Sequence, residues 1–148
     1  MLLRTEDICG LLPHTGRMCL IERILSWDEE GIVCLTSSHR LLDHPLREQG
    51  ALSAIHAVEY GAQAMGIHRG LRARQTDGRP DPKGYIAAIR GLHLHRRDLH
   101  DLAGPLTIEA RRLGGQGSSF VYAIRVHADT IPVLEARITV MTQTENEP

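Results

Sequence analysis

The hydrophobic pattern of this chain changes character along its length. Gly50-Ala-Leu-Ser-Ala-Ile-His-Ala-Val-Glu-Tyr-Gly-Ala-Gln-Ala-Met-Gly-Ile-His68 is almost wholly small or apolar, with apolar positions on every side of a helical wheel. Such a helix is not solvated and has to be enclosed. Ser53 supplies a predicted N-cap, and the helix is expected to run to about Leu71. Further on, the period drops to two. Phe120, Tyr122, Ile124 and Val126 alternate with Arg125 and His127, and Leu134, Ala136, Ile138 and Val140 alternate with Glu135, Arg137 and Thr139. That alternation marks strands with one buried face. Tyr85–His95 and Leu106–Leu113 are two more predicted strands, with turns at Gly104-Pro105 and Gly114-Gly115-Gln116-Gly117. Upstream, Cys19–Trp27 and Gly31–Ser38 read as a hairpin around Asp28-Glu29-Glu30. Residues 5–12 suggest a short amphipathic helix stopped by Pro13. Residues 72–83, with Gly78, Pro80 and Pro82, read as a mobile loop, and 142–148 as a frayed polar tail.

The expected order is helix, two strands, one buried helix, four strands. A sheet must then wrap the central helix, which is the α+β hotdog architecture, in a single domain over residues 1–148. At 148 residues the chain is long enough for a real core, and its low aromatic content makes that core aliphatic. A formal net charge of -1 and the absence of a Lys/Arg-rich block argue against a nucleic-acid binder. Lys83 is the sole lysine, so positive charge comes from arginine. No apolar run has transmembrane length, and the N-terminus lacks signal-peptide character. Cys9, Cys19 and Cys34 are odd in number and lack metal-pair spacing, so they are expected to be reduced thiols in a cytoplasmic protein.

One residue breaks the apolar helix. Glu59 places a carboxylate where burial costs several kcal/mol unless the group is paired, which makes it a candidate for chemistry. His56, Glu59 and Gln63 are three and four residues apart and share a helix face. His44, in Leu42-Asp43-His44-Pro45, lies upstream in a loop that can approach that face. A structural reading stands beside this one, with Glu59 pairing a buried arginine and His44 capping a turn. His93, His95 and His100 invite a metal site, but no neighbouring cysteine or carboxylate cluster completes one, so no metal is expected.

Leu12-Pro13-His14, His44-Pro45, Glu59-Tyr-Gly-Ala-Gln63 and Ile89–Arg97 followed by Gly104-Pro105-Leu106 occur in an order that resembles the hotdog-fold 3-hydroxyacyl-[acyl-carrier-protein] dehydratases. The similarity is greatest to the predicted dehydratase subgroup of aryl-polyene pigment pathways. The resemblance implies a cytoplasmic lyase that converts 3-hydroxyacyl thioesters to trans-2-enoyl thioesters, without metal or redox cofactor. The substrate would ride on the phosphopantetheine of an acyl carrier protein. It also implies His44 as the base, Glu59 as the acid and Gln63 as the residue orienting it. In that family the His and Glu come from different subunits, so a homodimer, a higher homo-oligomer or a heterodimer with a related dehydratase is implied.

Two departures stand out. Leu46 and Arg47 occupy the place of the family's glycine after the His-Pro pair, and the His-to-Glu spacing is one residue longer. The N–H groups that would polarise the thioester carbonyl are therefore sought at Gly50 and Ala51. Small residues on the helix (Ala57, Ala62, Met65 and Gly66) suit the wall of a narrow acyl tunnel. Arg90, Arg96 and Arg97 are either solvated surface or a patch for the acidic carrier, diluted by Asp98 and Asp101. Two rival functions remain: a thioesterase using Glu59 to activate water, and a non-catalytic subunit that completes a partner dehydratase.

Overall fold

A computed structural model describes residues 8, 18–76 and 84–142. Of the helix expected over 5–12, only Ile8, helical and fully buried, falls among them. The Leu12-Pro13-His14 motif, Cys9, the loop from 77 to 83 and the tail beyond Thr142 lie outside the described residues.

Six strands form one antiparallel sheet: β1 (Arg23–Trp27), β2 (Gly31–Thr36), β3 (Gly84–Leu94), β4 (Leu106–Gln116), β5 (Ser119–Ala128) and β6 (Ile131–Thr142). Their order across the sheet is β1-β2-β4-β5-β6-β3, which leaves β1 and β3 at the edges. The long helix α1 (Ala57–Thr76) packs on β2, β4, β5 and β6. This is the hotdog architecture expected from the sequence.

The period-two pattern fixes which face is buried. Ile32 and Cys34, Leu106, Ile108 and Ala110, Tyr122, Ile124 and Val126, and Leu134, Ala136, Ile138 and Val140 all turn toward α1. The register aligns them across strands, with Cys34 opposite Ile108, Ala110 opposite Ile124, and Ile124 opposite Ala136. Helix and sheet approach closely at Gly61, where an added Cβ would stand 2.5 Å from Ile124 Cγ2.

Two boundaries and one cysteine differ from expectation. β1 begins at Arg23 rather than Cys19, because the backbone around Leu20 is bonded by side chains instead of a strand. Leu20 N–H donates to Gln63 Oε1 at 2.8 Å, and its carbonyl accepts from the Thr36 and Ser38 hydroxyls. The helix continues to Thr76, through part of the expected loop. Arg72-Ala73-Arg74-Gln75 are good helix formers, and the Thr76 hydroxyl donates to the Arg72 carbonyl at 2.7 Å. Cys19 is disulfide-bonded, so the expectation of three reduced thiols fails: an odd count forbids complete pairing but permits one pair. Cys34 is free, and burial pushes its thiol up to about 12.

Candidate active site

Ser53 caps the start of the helical region. Its hydroxyl accepts from Ile55 N–H, a 3-10 turn over Ala54–His56 follows, and α1 then runs on without a break. The approach to this turn is pinned to a distant segment. Ala54 N–H donates to the Arg97 carbonyl and Leu99 N–H to the Leu52 carbonyl, both at 2.8 Å. Leu52 N–H donates to His100 Nδ1 at 3.1 Å, which ties that ring to the backbone before the helix.

Most of the α1 surface is buried: Ala57, Tyr60, Gly61, Gln63, Ala64, Met65 and Ile67 all belong to the interior. One stripe stays half-open, made of Val58, Glu59, Ala62 and Gly66. Glu59 is therefore half-buried on an open stripe, not sealed in an apolar core as its neighbours suggested. Met65 is 1% exposed and Ala57 fully buried, so both turn into the core and away from the stripe that carries Ala62 and Gly66.

Gln63 reaches from the core to that stripe. Its Nε2 donates to Glu59 Oε1 at 3.2 Å and to the Met18 carbonyl, while its Oε1 accepts the Leu20 N–H. With donors and acceptor all committed, the amide is fixed in orientation and holds the Glu59 carboxylate in turn. His56 is half-buried one turn before Glu59.

His44 is turned inward. The ring is 4% exposed, Nδ1 accepts Leu46 N–H at 3.0 Å, and Nε2 lies 3.0 Å from Tyr60 Oη. Tyr60 Oη is 2.9 Å from Ser38 Oγ, which donates to the Leu20 carbonyl at 2.8 Å. Burial raises the Tyr60 phenol well above its ordinary value, so it remains neutral. This departs from the expectation of an imidazole facing substrate. Tyr60, Ser38 and Thr36 were not singled out by sequence, and neither was His39. His39 is fully buried and donates Nε2–H to the Leu102 carbonyl at 3.0 Å. Arg47, at the place of the missing glycine, donates to the Gly50 carbonyl at 2.8 Å.

The two expected carbonyl-polarising donors fall in a tight turn. Glu48 and Ala51 exchange both backbone bonds, at 2.8 and 3.0 Å, around Gln49 and Gly50, which have φ of 52° and 80°. Ala51 N–H is thus consumed by the Glu48 carbonyl and is no substrate donor in this arrangement. Gly50 sits exposed at the turn tip.

The arginines separate as well. Arg96 and Arg97 flank the segment paired to the helix start, with Arg96 bonded to Asp101 at 3.0 Å and to the Asp98 carbonyl. Arg90 lies on β3 opposite Arg137, on the outer face of the sheet, and does not join them. His95 pairs with Glu135 at 2.8 Å, and that bond holds the Glu135 carboxyl below its ordinary range. Among the described residues no group of three or more His, Cys, Asp or Glu side chains is placed to hold a metal ion. None of the described helices is long and apolar enough to cross a membrane.

Comparison with known proteins bears on this geometry. The dehydratase heterocomplex ApeI:P from Xenorhabdus doucetiae superposes with a TM-score of 0.83 at 20% identity, covering 98% of this chain and 94% of that one. Thioesterase HI1161 from Haemophilus influenzae matches with a TM-score of 0.60 at 17% identity, over 98% and 94% of the two chains. A variant of thioesterase PA1618 from Pseudomonas aeruginosa gives 0.55 at 18% identity, over 80% and 78%. At these identities the structural matches establish the hotdog fold. No curated protein sequence matches the chain. A family model described as ApeP dehydratase matches residues 6–148, spanning Glu59, Gln63 and every strand, and the chain therefore belongs to the ApeP-like family.

Proposed function

We propose that this protein dehydrates 3-hydroxyacyl thioesters carried on an acyl carrier protein, giving trans-2-enoyl thioesters, within a site shared between two subunits. Membership of a dehydratase family supports the reaction class. The observation that carries the reading is the Glu59–Gln63 pair on the half-open stripe of α1, beside the small residues Ala62 and Gly66.

Dehydration removes a proton alpha to the thioester carbonyl and breaks the beta C–O bond. The electron pair left on the alpha carbon becomes the new double bond, and the departing hydroxyl leaves as water once an acid protonates it. Glu59, protonated, supplies that proton and becomes carboxylate. Gln63 keeps its oxygens aimed along the stripe. Resetting the site returns the proton taken by the base to Glu59, so no external reactant is consumed. Ala62 and Gly66 leave room for an acyl chain to lie along the helix.

Arg96 and Arg97, next to the helix start, are the arginines of this reading that would meet the acidic carrier. The open stripe and the exposed edge strand β3 support pairing with a second hotdog subunit, either a copy or a relative. The heterocomplex matched above is itself a two-component dehydratase.

The test is Glu59→Gln. Turnover of a 3-hydroxyacyl-carrier substrate should fall about a hundredfold or more while circular dichroism and assembly stay unchanged, since the amide keeps the Gln63 contact but has no proton to give. Unchanged turnover would remove Glu59 from the chemistry and the proposal with it.

A further inference from the structure

Leu20 stands between the two side chains that the family resemblance implies as acid and base. Its N–H donates to Gln63 Oε1 at 2.8 Å, and Gln63 Nε2 donates to Glu59 Oε1 at 3.2 Å. Its carbonyl accepts from Thr36 Oγ1 at 2.7 Å and from Ser38 Oγ at 2.8 Å. Ser38 Oγ is 2.9 Å from Tyr60 Oη, and Tyr60 Oη is 3.0 Å from His44 Nε2. A series of hydrogen bonds therefore runs from Glu59 to His44 by way of Leu20. The peptide chain closes most of it into a ring, because Glu59 and Tyr60 are neighbours on α1. Their side chains leave the helix on different sides, Glu59 half-buried and Tyr60 fully buried.

Ser38 is the junction of this series. It is buried, and it opens the 3-10 turn Ser38–Arg40 that leads from β2 toward His44. Its hydroxyl meets Leu20, Tyr60 and Thr36, and its N–H donates to Thr36 Oγ1 at 3.1 Å. In a buried network of this kind, deleting one hydroxyl releases the groups on either side of it. We infer that Ser38 is a positioning residue for the dehydration site. Through the Leu20 carbonyl it holds the backbone that fixes Gln63, and hence Glu59. Through Tyr60 it holds His44. The inference deepens the dehydration reading above and rests on it.

Kinetics of the assembled protein with a 3-hydroxyacyl pantetheine thioester provide the test. Ser38→Ala should lower kcat about tenfold with KM within about twofold, and should displace the apparent pKa of the pH–kcat profile, because misplaced acid and base groups transfer protons less well. Tyr60→Phe keeps the ring and removes only the hydroxyl. It should act in the same direction, and the double variant should lose little more than the worse single one. A residue serving stability alone would lower the melting temperature and leave kcat and the pH profile of the folded protein unchanged. Nitrogen-15 spectra give a readout independent of turnover: Ser38→Ala should move the side-chain amide signals of Gln63. Unmoved Gln63 signals, or variants that keep the original kcat and pH profile, would overturn the role of Ser38 while leaving the reaction standing. If Ser38→Ala does not fold, Tyr60→Phe decides by the same kinetic criterion. An unsubstituted protein that forms no enoyl product would instead remove the dehydration reading, and this inference with it.

Discussion

Histidine is the side chain that most divides the residues of this protein by role. His39 and His68 are both fully buried, and each gives its Nε2–H to a carbonyl, Leu102 for the first and Asp28 for the second. His68 Nδ1 accepts from Tyr122 O–H at 2.6 Å. Desolvation lowers the pKa of both rings below the ordinary 6.5. In the unfolded chain these rings bind protons near 6.5, while in the fold they resist until lower pH, so the unfolded state binds more protons in between. Their stabilisation is complete above about pH 6.5 and is lost progressively as pH falls below it. Urea midpoints should therefore be flat from pH 8 to 7 and drop toward pH 5, where few carboxylates have yet titrated; midpoints unchanged down to pH 5 would contradict this account. None of this could be read from sequence. His39 meets Leu102 and His68 meets Asp28 across long stretches of chain, and no local period links them. Glu59 was visible because it interrupts a run of small apolar residues, and Gln63 because it lies one turn on. Tyr60 was hidden because an aromatic in an apolar helix looks like core, which it is, and only its hydroxyl is spent on His44 and Ser38.

At the scale of elements, alternation was the reliable signal. β4, β5 and β6 bury the residues that the period of two assigns to the core, because a one-residue slip would turn every one of them to solvent. β1 was overextended by sequence, since residues 19–21 are apolar like a strand but the Leu20 backbone bonds to the side chains of Gln63, Thr36 and Ser38. The helix was cut short because Gly78 and the prolines that follow drew the boundary backward, whereas Arg72–Gln75 have no helix breaker of their own. The contact of α1 with the sheet gives a mutational test. Gly61→Val would drive a side chain into Ile124, with the Cβ alone only 2.5 Å from Cγ2. Overpacking of that kind costs about 1–3 kcal/mol, so thermal melting should fall by several degrees; an unshifted melt would mean the helix stands further off. The turn before the helix gives a second. Gly50 has φ of +80° with open space around it, so Gly50→Ala should cost about 1 kcal/mol through backbone strain alone. Equal denaturation midpoints for the two proteins would argue against that turn.

At the scale of the whole molecule, the described residues leave the β3 edge of the sheet exposed. Every residue of β3 but Ala88 is exposed, and Ile86, Ile89 and Leu94 stand opposite the inward residues Val140, Ile138 and Leu134 of β6, yet remain 38%, 41% and 44% accessible. An edge strand carrying that much apolar surface is normally paired or covered. Under the proposed shared site, a second hotdog subunit would cover this strand. Ile89→Lys together with Leu94→Lys should turn the assembled species into monomer by light scattering and abolish turnover without unfolding the sheet. Retention of the assembly would place the interface elsewhere. The central claim concerns bond cleavage, and mass spectrometry of the carrier-bound product from a 3-hydroxyacyl thioester, incubated with the assembled protein, tests it most directly. The account predicts an acyl chain that has lost one water and is still attached to its carrier. Release of intact 3-hydroxy acid with a free carrier thiol would contradict it and identify a thioesterase.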